Sequence, residues 1–149
     1  LLTLPGLELW EGLFTPDGRS LIVRTVGGRG SRDVWLVRLD SPRAPVPLLK
    51  SPADEMAPAV SPDGRWLGYV SNESGRAEVY VRSFPEMAGR YQVSLDGGTE
   101  PAWSPRGGEL FYRNGTAMIA VRLRTENVPQ ALSGFRPQVS AGADVGSGS

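Results

Sequence analysis

The chain has 149 residues, of which 19 are glycine and 13 are proline, and this density of helix-breaking residues disfavours long helices. The absence of histidine and cysteine excludes Ser-His-Asp triads, thiol nucleophiles, imidazole or thiolate metal sites and disulfides. Lysine and arginine number 16, as do aspartate and glutamate, so no net charge attracts the chain to nucleic acid or to an anionic membrane.

Three segments of the sequence align with one another as internal repeats. Phe14, Val60 and Trp103 are equivalent and lie 46 and 43 residues apart, each just before a Ser/Thr-Pro dipeptide. A period of about 40–50 residues is typical of the four-stranded blade of a β-propeller. The sequence therefore predicts an all-β fold of about three four-stranded antiparallel blades, which is a partial propeller.

In chain order, the repeats predict one leading strand, three blades and a tail. The ranges are residues 1–4 for an outer strand, then 12–50, 58–95 and 101–139 for the blades, and 140–149 for a flexible tail rich in Gly, Ser and Ala. Each blade is expected to contain an inner strand that ends at Ser/Thr-Pro, a second strand after the turn, a third rich in valine and aromatic residues, and a weaker outer strand.

Turn residues separate the first two strands of each repeat. Thr15-Pro16-Asp17-Gly18 and Ser61-Pro62-Asp63-Gly64 predict tight hairpins, since Pro presets φ, Asp bonds back to the backbone and Gly takes the left-handed position. The third repeat has Arg106 in the Asp place, so its hairpin is expected to be the looser one. Asn114-Gly115 predicts a two-residue turn between the second and third strands of that repeat.

Apolar residues occupy both faces of the second strands, as expected for sheets sandwiched between neighbouring blades. Gly68 is expected to relieve crowding on one side of its strand, and most aromatic side chains are expected to lie in the core. Trp10 and Trp103 fall near inner-strand positions, where they are candidates to line a central channel. Because propellers close with roughly four to eight blades, each terminal blade is expected to expose an apolar face, which favours self-association.

The segment Ser61-Pro62-Asp63-Gly64-Arg65-Trp66-Leu67, followed by Glu78-Val79-Tyr80-Val81, resembles the WD40-like, Ser-Pro-Asp-Gly-type repeats of TolB-family β-propellers. The resemblance covers about residues 1–125, and residues 57–112 are most similar to propellers at the C-terminal end of bacterial serine/threonine kinases. It implies an accessory propeller, often beyond a membrane segment, that transfers no phosphoryl group itself. An extracytoplasmic or periplasmic location follows, with a cytoplasmic location as the alternative.

Catalytic chemistry has few candidates in this sequence. The Gly-rich loop, strand lysine and catalytic aspartates of a kinase are not assembled, and no Gly-x-Ser-x-Gly elbow occurs. Carboxylate pairs are the remaining kind of catalytic candidate. Asp54 with Glu55 and Asp96 with Glu100 are placed in equivalent connections between blades. Solvated loops are the leading interpretation of these acids, ahead of a calcium or polar-ligand site and of a hydrolytic pair. We predict no enzymatic activity, no cofactor and no metal.

The loops at one end of the blades form the predicted docking face for a protein or peptide. Its candidate residues are Arg29, Arg32, Asp54, Glu55, Asn72, Glu73, Arg76, Asp96 and Glu100. The predicted function is a non-catalytic binding or sensor module within a larger bacterial protein. Two alternatives stay open: an accessory domain that gates a kinase or peptidase elsewhere in the chain, and a structural fragment that closes a ring as a homo-oligomer. Neither nucleic acid binding nor membrane insertion by this segment is expected.

Overall fold

The computed structural model describes residues 8–26, 32–41 and 44–123, together with the backbone of residues 138–141. These residues form three four-stranded antiparallel sheets and no helix, so the all-β prediction is confirmed. The predicted outer strand at residues 1–4 and residues 142–149 of the predicted tail lie outside the described ranges.

Each sheet is a meander of four consecutive strands, and we call the sheets blades 1, 2 and 3. The inner strands begin two to four residues before the predicted blade starts at 12, 58 and 101. Blade 1 contains β1 (Glu8–Phe14), β2 (Ser20–Val26), β3 (Arg32–Arg38) and β4 (Val46–Leu49). Blade 2 contains β5 (Glu55–Val60), β6 (Trp66–Ser71), β7 (Glu78–Ser83) and β8 (Tyr91–Gln92). Blade 3 contains β9 (Thr99–Trp103), β10 (Glu109–Asn114), β11 (Ala117–Arg122) and β12 (Gln138–Ala141).

The β1–β2 and β5–β6 hairpins share one hydrogen-bonded turn. In the second of them, the Ser61 hydroxyl donates to Oδ1 of Asp63 at 2.5 Å, and the amide of Arg65 donates to the same oxygen at 3.1 Å. In the first, donation from Thr15 and from the Arg19 amide lowers the pKa of Asp17. The Pro-Asp-Gly pattern thus fixes both turns through the carboxylate.

The third hairpin keeps the backbone part of this turn and changes the side-chain part. The Gly107 amide donates to the Ser104 carbonyl at 2.8 Å, the distance also found for Gly64 and Ser61. With Arg106 in place of the aspartate, the side-chain bond of the turn runs from the Arg106 amide to the Ser104 hydroxyl, at 3.3 Å. No carboxylate ties Ser104 to the turn within the described residues.

The turn between β10 and β11 lies one residue later than predicted. Asn114 is still paired in the ladder, opposite Ala117, so the two-residue loop is Gly115-Thr116. Gly115 has φ +59° and Thr116 has no positive φ, as a type II′ turn requires. The side-chain amide of Asn114 donates to the Asp96 and Gly97 carbonyls, at 2.9 and 3.1 Å.

Two apolar cores hold the blades together. Between blades 1 and 2, Ile22 and Leu36 pack against Leu67 and Tyr69. The second core lies between blades 2 and 3, where the other face of blade 2 packs on blade 3. This core includes Trp66, Val70, Val79, Leu110 and Tyr112. Blade 2 is thus buried on both faces, as its two-sided apolar pattern predicts.

Gly68 lies on the face of β6 that contacts blade 3. A Cβ placed on Gly68 would lie 3.5 Å from Leu110 Cδ1 and from Trp103 Nε1. The Trp103 indole crosses this position to donate to the Ala59 carbonyl at 2.8 Å. The two 3.5 Å distances are ordinary van der Waals distances, so the structure shows no crowding at Gly68 that requires a glycine, contrary to the expectation.

The free face of blade 3 combines charged and apolar residues, whereas the sequence predicts an apolar face. Alternation along β10 places Glu109, Phe111 and Arg113 opposite the face that contacts blade 2. Glu109 pairs with Arg122 at 3.2 Å, and Arg113 pairs with Glu100 at 3.1 Å. The equivalent places in blade 2 hold Trp66 and Val70. Glu109 and Arg113 therefore make this face less apolar, although Phe111 and the 49% exposed Met118, which is paired with Arg113 in the ladder, also lie on it.

Blade 1 differs from blade 3 in this respect. Because Ile22 and Leu36 face blade 2, alternation puts Leu21, Val23 and Val37 on the opposite face, where Val23 and Val37 are only 3% and 6% exposed. The two ends of the blade array therefore have different chemistry: apolar side chains at blade 1 and ion pairs at blade 3.

Candidate docking face

The predicted docking face is the end of the blades that carries the β2–β3, β6–β7 and β10–β11 loops and the connections from one blade to the next. Arg29 lies outside the described residues. The other predicted residues fall into two junctions, one between blades 1 and 2 and one between blades 2 and 3. The members are Arg32, Asp54, Glu55, Asn72 and Glu73 at the first junction, and Arg76, Asp96 and Glu100 at the second.

At the first junction, two loops are joined by reciprocal hydrogen bonds. The Asp54 amide donates to Oδ1 of Asn72 at 2.8 Å, and the Asn72 amide donates to the Asp54 carbonyl at 3.3 Å. Glu73, next in the chain, forms an ion pair with Arg90, whose guanidinium lies 4.1 Å from the centroid of the Tyr80 ring. The junction is therefore an ordered surface.

Glu55 does not lie in an exposed connection as predicted. It is the first residue of β5 and only 4% exposed, because its side chain lies between the two blades. The Ser51 hydroxyl donates to Oε1 at 3.1 Å, whereas Oε2 is buried without a hydrogen-bond partner. Burial raises the pKa of Glu55 to about 7, and the nearby charges of Asp33 and Glu73 add to the effect. Glu55 is thus a buried, titratable group below the docking face.

Arg32 lies on the blade 1 side of the same junction, beside an exposed tryptophan. Trp10, in β1, is 55% exposed, and the guanidinium carbons of Arg24 and Arg32 each lie 5.6 Å from its ring centroid. Nη1 of Arg32 also approaches the Met56 sulfur at 3.8 Å. Trp10 is accordingly a surface residue at the docking face, flanked by two cations.

At the second junction, Arg76 is held by three acceptors. Its Nε donates to Oε1 of Glu78 at 2.6 Å, Nη2 to the Leu95 carbonyl at 2.6 Å, and Nη1 to Oδ1 of Asp96 at 3.0 Å. The bond to Glu78 and the bond to Asp96 raise the pKa of Arg76. An exposed guanidinium with this many fixed contacts presents its charge in one orientation.

Glu78 is the anchor of this network, and it is absent from the predicted site. Its carboxylate is fully buried and accepts hydrogen bonds from the Ser94 hydroxyl and, at 2.9 Å, from the Gly97 amide. A glutamate at the start of a strand gives no sign in the sequence of whether it is exposed or buried. The equivalent residues are Asp33 and Ala117, so the position is not acidic in every repeat and the repeats do not single it out.

Glu100 is also a strand residue and not part of an open connection. It lies in β9 with φ +54° and precedes Pro101, and Ala57 in β5 has φ +51° before Pro58. These equivalent residues lie at irregularities in the ladders of the two inner strands. Glu100 pairs with Arg113 at 3.1 Å and therefore faces the side of blade 3.

The inner strands of the three blades line an apolar cleft of about 410 Å³. Phe14, Val60 and Trp103, the equivalent residues of the three repeats, are all in its wall. Phe14 is 69% exposed, so it is not a core residue. Trp103 takes the channel-lining position proposed for it, whereas Trp10 lies beside Arg24 and Arg32.

In the described part of the chain, no helix has the length and apolar character to cross a membrane. The same residues contain no group of three or more acidic side chains arranged to hold a metal ion.

Comparison with known proteins identifies the fold. No family model matches the sequence. TolB from Acinetobacter baumannii aligns with a TM-score of 0.66 and 17% identity, over 79% of this chain and 30% of TolB. A putative TolB from Agrobacterium tumefaciens aligns with a TM-score of 0.69 and 16% identity, over 91% of this chain and 50% of that protein. The tricorn protease aligns with a TM-score of 0.60 and 11% identity, over 90% and 16% of the two chains.

These similarities confirm that the three sheets are blades of a TolB-like β-propeller. The chain spans half or less of the length of each of these proteins.

Proposed function

We propose that this chain is a non-catalytic interaction module and that its docking face binds a protein or peptide. The observation that carries the proposal is the fixed arrangement of Arg76, Leu95 and Asp96 at the blade 2–blade 3 junction. Leu95 is 72% exposed, and its carbonyl accepts a hydrogen bond from the same guanidinium that pairs with Asp96. Arginine is one of the residue types enriched among the residues that dominate binding energy in protein interfaces, and Leu95 places exposed apolar surface beside Arg76.

Preorganisation of this surface supports the proposal. Arg76 is tied to the buried carboxylate of Glu78, and the Asn114 amide holds the Asp96 and Gly97 carbonyls from the β10–β11 hairpin. A partner would therefore meet loops that are already ordered, which lowers the entropic cost of binding.

The chain is further proposed to be part of a larger bacterial protein. Its match to half or less of the TolB and tricorn structures supports additional blades or domains. The similarity of residues 57–112 to the C-terminal propellers of serine/threonine kinases supports a kinase as the parent protein and an extracytoplasmic location for the propeller.

Site-specific photocrosslinking in a lysate of the source bacterium tests the proposal. The photoreactive residue is introduced at Asn72 or Leu95 on the docking face, and at Arg106 on the opposite end as a control. We expect one partner to be crosslinked from the two docking-face positions and not from the control. The crosslink is expected to disappear when Arg76→Glu reverses the fixed charge.

Crosslinking that is equal from Arg106, or that survives Arg76→Glu, would contradict the docking face. Turnover of phosphoester, peptide or glycoside substrates that is lost in Asp54→Asn would contradict the non-catalytic role.

A further inference from the structure

A second concave site lies at the end of the blades opposite the docking face. It is a cleft of about 480 Å³ between blades 1 and 2, at the β1–β2 and β5–β6 hairpins. This volume is within the range of small-ligand sites, roughly 300–1,000 Å³. Its wall includes Ser20, Leu36, Arg38, Asp40, Asp63 and Phe84.

The cleft exists because one repeat position differs between blades 1 and 2. Ser20 in blade 1 and Trp66 in blade 2 are equivalent, since each directly precedes the repeat leucine, Leu21 or Leu67. Trp66 is 6% exposed and packs into the core between blades 2 and 3. In blade 1 the same position holds only the hydroxymethyl group of Ser20. The volume that the Trp66 indole fills in blade 2 is therefore left open in blade 1.

The floor of the cleft is apolar and firmly held. Leu36 and Phe84 are both buried and both belong to the core between blades 1 and 2. Pro16, Pro62 and Pro85 complete the apolar lining. A ligand side chain placed beside Ser20 would therefore contact a preformed hydrophobic surface.

The rim of the cleft carries charges of both signs. Arg38 and Asp40 are exposed, and neither has an ion-pair partner among the described side chains. Asp63 contributes a carboxylate, but its Oδ1 already accepts hydrogen bonds from Ser61 and Arg65 within the β5–β6 turn. A ligand that satisfies this rim needs a carboxylate for Arg38 and a cation for Asp40.

We propose that this cleft binds a short peptide segment in which an apolar side chain is flanked by an acidic and a basic residue. The apolar side chain fills the volume beside Ser20, over Leu36 and Phe84. The acidic group pairs with Arg38 and the basic group with Asp40. This site is separate from the docking face, because hairpins at the opposite ends of the strands form the two surfaces.

The probe for the test is the peptide acetyl-Asp-Leu-Lys-amide, titrated into the 149-residue chain by isothermal calorimetry and by amide NMR. We expect shift changes at Ser20, Arg38 and Phe84. Replacing the leucine of the peptide by serine is expected to weaken binding about tenfold. Replacing its aspartate by asparagine is expected to weaken binding about two- to fivefold, as for an exposed ion pair.

Ser20→Trp is the decisive variant, since it gives blade 1 the side chain that blade 2 accommodates at the same position. We expect it to abolish peptide binding while Thr116→Ala, an exposed change in the β10–β11 loop, leaves the affinity unchanged. Unaltered binding by Ser20→Trp would overturn the proposal, as would the absence of shift changes in the cleft at millimolar peptide.

Arg38→Ser removes the cation at the rim and leaves Ser20 and the apolar floor in place, and it provides an answer if Ser20→Trp fails to fold. Serine is the blade 2 residue at this position, Ser83. We expect Arg38→Ser to weaken the aspartate peptide two- to fivefold, roughly one exposed ion pair, and to leave the asparagine peptide unaffected. Equal weakening of both peptides would show that Arg38 does not contact the acidic group and would overturn the assignment.

Discussion

The hydroxyl of Ser94 donates a hydrogen bond to Oε2 of Glu78 and accepts one from the amide of Val79 at 2.7 Å. One small side chain thus satisfies a buried carboxylate and a buried backbone donor at the same time. We predict that Ser94→Ala destabilises the fold by about 2 kcal/mol, because Oε2 of Glu78 and the Val79 amide both lose the hydrogen bond to Ser94 away from water. Urea unfolding followed by tryptophan fluorescence measures the change.

Asp96→Ala is the matched control for this prediction. Asp96 binds the same arginine as Glu78 but is 89% exposed, so its loss is expected to change the free energy of unfolding by less than about 0.5 kcal/mol. Similar effects of the two substitutions would show that Glu78 is not the anchor of the network.

Stability is predicted to fall as the pH rises through neutrality, because Glu55 is buried. Its pKa is raised from 4.5 to about 7 in the folded protein. The folded state therefore holds a proton that the unfolded state releases, and the stabilisation is complete below pH about 4.5 and lost above pH about 7. Unfolding measured between pH 5.5 and 8.5 should show a loss of roughly 1–2 kcal/mol.

Glu55→Gln is expected to remove this pH dependence and to be more stable than the native chain at pH 8, since a neutral amide replaces a buried charge. Asp54→Asn, the change at the neighbouring half-buried residue, is expected to leave the dependence intact. If the free energy of unfolding of Glu55→Gln still falls as the pH rises from 5.5 to 8.5, the titration belongs to another group.

Gly98 is predicted to be intolerant of any side chain. A Cβ at this position would lie 2.8 Å from Cβ and Oγ of Ser94 and 3.0 Å from Cδ2 of Tyr112. Gly98→Ala is expected to cost about 1–3 kcal/mol by overpacking. Gly68→Ala is the control, because its new Cβ would make ordinary contacts at 3.5 Å. Thermal unfolding of the two variants should therefore give clearly different midpoints.

Arg106→Asp is predicted to stabilise the third hairpin. The substitution restores the carboxylate that accepts from the serine or threonine hydroxyl and from a backbone amide in the first two turns. We expect a gain of roughly 0.5 kcal/mol in the free energy of unfolding. Slower amide exchange at Gly107 would locate the gain, and the same gain from Arg106→Ala would attribute it to loss of the arginine.

The repeat made the blades predictable, since the alternation of Leu67 and Tyr69 and the Pro-Asp-Gly turns depend on neighbouring residues. Buried acids were not predictable in the same way. Glu55 and Glu78 stand at strand starts, where an acid is usually solvated, and their burial depends on side chains that the chain brings back from a distance, such as Ser94 for Glu78.

The aligned repeats show that Ser20 in blade 1 replaces Trp66 of blade 2, but they do not show that this difference leaves a cleft. Only the packing of Trp66 between two blades shows that its absence from blade 1 opens a cleft. The charged residues on the free face of blade 3 were missed because Phe111 and Leu110 gave β10 an apolar appearance, while Glu109 and Arg113 also lie on the free side.

The ion pairs on that free face have a consequence for how the molecule responds to ionic strength. Glu109 is paired with Arg122 and Arg113 with Glu100, and such exposed pairs weaken as added salt shortens the Debye length, which is about 10 Å at 0.1 M. The contacts among blades 1, 2 and 3 are apolar and lack this sensitivity. Concentrated salt would therefore weaken the ion pairs on the free face of blade 3, while the apolar contacts that hold the three blades together persist.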